Sequence, residues 1–129
     1  MARLLSIILI GHNNKRFLKP CLEALRAQTF ERQYEGWYID NASSDDSVEW
    51  VLRHHSEVRV VANRENVGYA AAANQGIRMT QSKYVMILNP DLILTPDYLK
   101  TVLAKMEKNP RLAAITGKIL KYDFEKDAP

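Results

Sequence analysis

Strand-length apolar runs alternate with helix-patterned stretches along almost the whole chain, and this alternation restricts the fold more than any other feature. Leu4–Ile10 is a near-continuous apolar run, the pattern of a strand covered on both faces. Residues 15–28 carry Phe17, Leu18, Cys21, Leu22 and Leu25 at three-to-four spacing, which makes one apolar helix face. Pro20 has no N–H for the preceding turn, so regular helix is expected only from about Pro20 onward. Tyr34–Ile39 reads as a second strand ending at Asp40. Ser43-Ser44-Asp45-Asp46 then supplies capping oxygens and early acids to a helix through Arg53. Val58–Ala62 is a third strand, Tyr69–Met79 an alanine-rich helix preceded by Gly68, and Lys83–Leu88 a fourth strand. Thr95-Pro96-Asp97 opens a helix reaching Lys108, with a capping hydroxyl, a proline at the first position and an acid. Leu112–Thr116 completes the series as a fifth strand.

An order of β-α-β-α-β-α-β-α-β predicts an α/β fold, a mostly parallel sheet of about five strands with helices on both faces. At 129 residues, 47% of them apolar, the chain is one domain with enough material for a core. Eighteen Lys and Arg against fifteen Asp and Glu give +3, too small an excess to point to nucleic acid. A single cysteine, Cys21, excludes an intrachain disulfide and suits a reducing cytoplasm. The apolar run after Arg3 is far shorter than the ~20 residues of a membrane helix, and Gly11-His12-Asn13-Asn14 ends it like a turn. No leader and no transmembrane segment are therefore expected.

Parallel sheets of this kind bind ligands at the carboxyl ends of their strands. Here those ends carry Gly11-His12-Asn13-Asn14, Asp40-Asn41-Ala42-Ser43, Asn63 to Gly68, and Asn89-Pro90-Asp91. Asp40 ends an apolar strand, and Asp91 lies between the apolar runs 85–88 and 92–94. A carboxylate among apolar neighbours is costly unless a cation or hydrogen-bond donors meet it; a ribose or a divalent metal would serve. Neither G-x-G-x-x-G nor G-x-x-x-x-G-K-[ST] occurs, so no glycine-rich loop cradles phosphates. Each residue also has a plainer reading. Asp40 could cap nearby amides, Asp91 could belong to an Asn-Pro-Asp turn, and His12 could fill a loop. His54-His55 suits a helix C-terminus better than a metal pair, because adjacent helical residues point about 100° apart. Cys21 suits a core position, and Trp37 and Trp50 suit packing.

Several segments together resemble the start of the family 2 glycosyltransferases with the GT-A fold. They are Ile7–Asn13 with Phe17-Leu18, then Ile39-Asp40-Asn41-Ala42-Ser43-Ser44-Asp45, then residues 66–77 (Asn66-Val67-Gly68-Tyr69 through Ile77), then Leu88-Asn89-Pro90-Asp91. The last two look most like the rhamnosyltransferase-type branch, and the match runs from residue 4 to about residue 120.

The resemblance implies a nucleotide-diphosphate-sugar donor, a saccharide or lipid-linked acceptor, and an inverting transfer helped by Mg2+ or Mn2+. By position, His12 falls where the family often has an aromatic ring near the nucleobase, and Asn13 follows it. Asp40 matches a carboxylate that hydrogen-bonds base or ribose, and Gly68 and Asn74 match the segment lining the donor site. Asn89-Pro90-Asp91 matches the D-x-D element, with Asp91 as metal ligand and Asn89 in place of the first acid. His12 replaces the common tyrosine, and Gly36-Trp37 stands where the family usually has branched aliphatics. The family's acceptor-binding half and its catalytic base are expected beyond the end of this chain, since Asp123, Glu125 and Asp127 sit in a polar tail ill suited to a tuned base. The expected role is donor binding in a polysaccharide-building enzyme, in the cytoplasm or against the inner face of the membrane. Two rivals are a non-catalytic nucleotide-sugar-binding subunit or sensor, and a sugar nucleotidyltransferase, for which Gly11-His12-Asn13-Asn14-Lys15 is a poor match.

Overall fold

The computed structural model describes residues 3–30, 32–123 and 125–128. Eight elements follow in strict alternation: β1 (Leu5–Gly11), α1 (Lys15–Arg26), β2 (Tyr34–Asp40), α2 (Ser47–His54), β3 (Val58–Ala62), α3 (Tyr69–Met79), β4 (Tyr84–Leu88) and α4 (Tyr98–Lys108). All strand pairs are parallel and the order is β3-β2-β1-β4. Strand β1 is central, and all seven of its residues are buried, as its unbroken apolar run requires.

Alternation along β1 divides the core between two faces. Leu5, Ile7 and Leu9, with Tyr38 and Leu88, meet Leu18, Cys21, Leu22 and Leu25 of α1, Val51 of α2, and Leu99 and Leu103 of α4. Ile8 and Ile10, with Trp37 and Ile39, pack against Ala72 of α3. Each fully buried Leu or Ile contributes roughly 1.5–3 kcal/mol relative to exposure. Gly76 lets α3 lie this close, since a Cβ there would stand 2.6 Å from Ile8 Cγ2. On the α3 face, β4 is left open, with Val85 and Ile87 40% and 36% exposed.

Three expectations need correction. Helix α1 is continuous from Lys15, with Pro20 in its sixth position. Burial of Leu18 and Cys21 on either side of Pro20 outweighs one missing hydrogen bond. Helix α4 begins at Tyr98 with Asp97 as N-cap residue, and the Thr95 hydroxyl donates to Asp97 instead of capping the helix. The sheet has four strands among the described residues, not five: 112–116 pairs with none of them and is exposed throughout. The Gly117 N–H donates to the Tyr98 hydroxyl at 3.1 Å, which ties this stretch to α4. Gly36, by contrast, leaves β2 regular, paired in register with Ile7 and Val58.

Cys21 is the only thiol and is 1% exposed. Burial, with a smaller contribution from the Asp91 charge, pushes it from the ordinary 9.0 up to about 12. Folded protein should therefore resist iodoacetamide at pH 8 and become labelled on unfolding in urea. The raised folded value stabilises the protein below the unfolded value, and that contribution is lost as pH rises from 9 towards 12, at roughly 1.4 kcal/mol per pH unit. Urea midpoints across this range should fall less steeply in Cys21→Ala than in the native chain.

Candidate functional site

Because every strand is parallel, all four carboxyl ends lie along one edge of the sheet. From β1 the chain order runs through β2 to β3 on one side, whereas β4 lies on the other. The switch point therefore falls between β1 and β4, where open α/β sheets place a ligand crevice. A depression of about 310 Å³ occupies this place. Ile10 and Gly11 line it from the end of β1, His12 and Asn14 from the loop after it, and Asn41 from the loop after β2. Asn66 lines it from the loop before α3, Tyr69 from the first residue of α3, and Asn89, Pro90 and Asp91 from the loop after β4.

Its walls are fixed by side-chain hydrogen bonds. His12 Nδ1 lies 2.8 Å from the Asn41 carbonyl oxygen, which can only accept, so the ring donates from Nδ1 and keeps Nε2 as its acceptor side. Asn41 Nδ2 donates to the Gly68 carbonyl at 3.1 Å, and Asn63 Nδ2 donates to Asn41 Oδ1 at 3.1 Å. Asn63 and Gln75 exchange a reciprocal amide pair at 3.0 Å. This ladder of carboxamides joins the ends of β2 and β3 to α3. Gly68 has φ +85°, and only glycine adopts that conformation without strain.

The next layer secures the loop after β2. Asp40 is 2% exposed, and both its oxygens are engaged: Oδ1 by the Tyr38 hydroxyl at 2.9 Å and the Ser43 hydroxyl at 2.5 Å, Oδ2 by the Ser43 N–H at 2.9 Å. Burial and then the Asp40 charge push the Tyr38 hydroxyl well above its ordinary value, so it remains a donor. Asn13 bridges the same loop to β1, donating its N–H to the Ser43 hydroxyl and accepting at Oδ1 from the Ser44 and Asp45 N–H groups. Asn13 and Ala42 have φ of 53° and 58°. Asparagine tolerates this conformation; for alanine it costs about 1–2 kcal/mol.

At the other wall the Tyr69 hydroxyl donates to Asn89 Oδ1 at 2.8 Å. Partial burial and then the Asp91 charge raise the Tyr69 hydroxyl. Asp91 is exposed, and among the described residues it makes no ion pair. No cluster of three or more His, Cys, Asp or Glu occurs among them either. These residues fit a divalent cation delivered with a diphosphate, which would supply the other oxygens, but not one held by protein alone.

Of the seven residues expected at the site, the depression brings together His12, Asn89 and Asp91. Gly68 is held to its rim through Asn41. Asp40 and Asn13 stand behind it as supports for the loop after β2, and Asn74 is exposed on α3 without lining the depression. Asn41 and Asn66 lie in segments the strand-end rule had already marked. Tyr69 was read as helix, and its lining role shows only in three dimensions. His54 and His55 are not paired for a metal. His54 stacks on Trp50, while His55 is buried with Nδ1 against Arg26 and Glu57.

The chain spans between 28% and 39% of the length of the curated relatives it matches. It is 29% identical over 115 residues to the poly-beta-1,6-N-acetyl-D-glucosamine synthase of Staphylococcus aureus, covering 88% of this chain and 28% of the synthase. Among solved structures, S. aureus TarS 1-349 in complex with UDP superposes with a TM-score of 0.74 at 20% identity, over 84% of this chain and 32% of TarS. The mannosyltransferase PcManGT from Pyrobaculum calidifontis, in complex with GDP-Man and Mn2+, gives 0.76 at 22% identity, over 82% of this chain and 33% of that one. Both share the fold, a GT-A arrangement of parallel strands with helices on either face. The family model described as "Glycosyl transferase family 2" matches residues 6–127, and the chain belongs to that family.

Proposed function

We propose that this chain binds a nucleotide-diphosphate sugar in the depression between β1 and β4 and serves as the donor side of an inverting sugar transfer. The observation that carries this reading is the position of Asp91, an exposed carboxylate at the switch point in a depression lined also by Asn14, Asn41, Asn66 and Asn89. Neighbours of the same fold were solved with UDP and with GDP-Man and Mn2+, which supports a nucleotide-linked ligand. In this reading His12 lies near the nucleobase. Asn13 and Asp40 act from behind by holding the loop after β2, Gly68 and Asn74 belong to the donor-side segment, and Asn89 and Asp91 face the diphosphate. A bound Mg2+ or Mn2+ would be held by Asp91 and would stabilise charge on the departing diphosphate.

Asp91 is the one carboxylate lining the depression among the described residues, and a carboxylate committed to a cation is not free to take the acceptor's proton. The acceptor, a saccharide or lipid-linked hydroxyl, is therefore assigned a base from outside this depression. The same observation favours a second reading, a binding subunit without transfer activity. Donor hydrolysis by the isolated chain, measured as release of nucleoside diphosphate, separates the two. No helix among the described residues is long and apolar enough to cross a membrane.

The primary test is titration calorimetry with UDP, GDP, dTDP and CDP, with and without Mn2+. At least one should bind, more tightly with the metal. Absence of binding to all four under both conditions overturns the proposal.

A further inference from the structure

The bond between Tyr69 and Asn89 joins the two walls of the depression, and its chemistry has a direction. Asn89 occupies the position before Pro90-Asp91, and its side-chain oxygen accepts the phenol O–H at 2.8 Å. A carboxamide has one acceptor oxygen and one two-hydrogen donor nitrogen, held in a plane. With the oxygen turned to Tyr69, the nitrogen faces elsewhere, and among the described residues no protein acceptor meets it. Tyr69 is itself well placed to fix this orientation. It is the first residue of α3, directly after Gly68, whose carbonyl is held by Asn41 and, through it, by Asn63 and Gln75. The phenol thus stands on a frame set by β2 and β3 and reaches a side chain beyond β4.

We infer that Tyr69 is a positioning residue that turns the Asn89 carboxamide so that it offers N–H donors to the diphosphate and leaves a divalent cation to Asp91. The inference rests on reading the depression as a nucleotide-diphosphate site. A pair of carboxylates at positions 89 and 91 would repel a metal-free diphosphate. One carboxylate beside an amide donor repels it less, so a measurable part of the affinity should survive without metal.

The test uses the 129-residue chain with UDP, GDP, dTDP and CDP as probes, in calorimetry with and without Mn2+, and Mn2+ alone followed by electron paramagnetic resonance. Both side chains are exposed, so Asn89→Ala and Tyr69→Phe should fold, with unchanged urea midpoints. Asn89→Ala should weaken metal-free binding about tenfold, the loss of a hydrogen bond to a charged group, and leave the enhancement by Mn2+ unchanged. Tyr69→Phe should weaken metal-free binding about threefold and add nothing further in the Asn89→Ala background, which a merely structural role would not produce. Asn89→Asp should bind metal-free diphosphate worse than Asn89→Ala while raising the enhancement by Mn2+ and the affinity for Mn2+ alone. The inference is overturned if Asn89→Ala loses the Mn2+ enhancement, since the oxygen would then be a ligand, or if the losses from the two substitutions add fully. In both cases the native chain still binds nucleotide and the proposed function stands. A native chain that binds none of the four probes under any condition overturns both.

Discussion

Replacing Asp91 with alanine is expected to remove the Mn2+-dependent part of nucleoside diphosphate affinity, a loss on the order of 100-fold, while metal-free affinity holds or improves. Removing even an outer partner of a metal ligand costs about 10–100-fold, so losing the one carboxylate that lines the depression among the described residues should cost no less. The metal-free arm moves the other way because the substitution deletes a negative charge beside the diphosphate. Asp91 is exposed and makes no ion pair among the described residues, so the urea midpoint should stay within error of the native value. Calorimetry with UDP and GDP in paired buffers reads all three quantities. A variant that keeps the native ratio between the metal and metal-free affinities would remove Asp91 from the cation site.

The largest expected loss of stability is at Asp40. Asp40→Ala deletes three hydrogen bonds at once, leaving the half-buried Ser43 N–H without its partner and the buried Tyr38 hydroxyl with only the Ser43 and Ser47 hydroxyls beside it. At about 1–3 kcal/mol for the orphaned Ser43 N–H and about 0.5–1.5 kcal/mol for each of the other two bonds, the loss should be about 3 kcal/mol by urea unfolding. Asp40→Asn retains one acceptor oxygen and should cost roughly half as much, but its new N–H groups face the Ser43 N–H or hydroxyl. Both variants should also weaken metal-free nucleotide binding, because the loop carrying Asn41 is anchored through Asp40 and Ser43. If Asp40→Ala unfolds within about 1 kcal/mol of the native chain, the carboxylate is not what holds that loop.

Most of the architecture was legible because its signals are local. β3 and α3 begin and end where their patterns predict, at Val58–Ala62 and Tyr69–Met79. The strand-end rule then led to His12, Asn89 and Asp91 without any coordinates. What the sequence concealed depends on partners far along the chain. Residues 112–116 have the side chains of a strand, but a strand exists only if a neighbouring edge accepts it, and Gly117 is instead tied to Tyr98. Pro20 breaks a helix in isolation, whereas the packing of Leu18 and Cys21 against the sheet keeps α1 intact. Asp40 looked like a ligand-facing acid because its apolar strand gave no sign of the hydroxyls that Tyr38 and Ser43 turn towards it. Tyr69 looked like an ordinary helical residue because its partner, Asn89, lies 20 positions away.

The floor beneath the depression is joined by Asn41, Asn63 and Gln75, none of which carries an ionisable group. Carboxamides neither take up nor release protons over the range in which proteins stay folded. This carboxamide part of the frame should accordingly be indifferent to acidity, unlike the ligand's own phosphates and the ionisable side chains, His12 and Asp91 among them, that line the depression. A receptor surface built this way also gives nothing to salt: ionic strength should alter how quickly an anionic ligand arrives, but not the outline it meets.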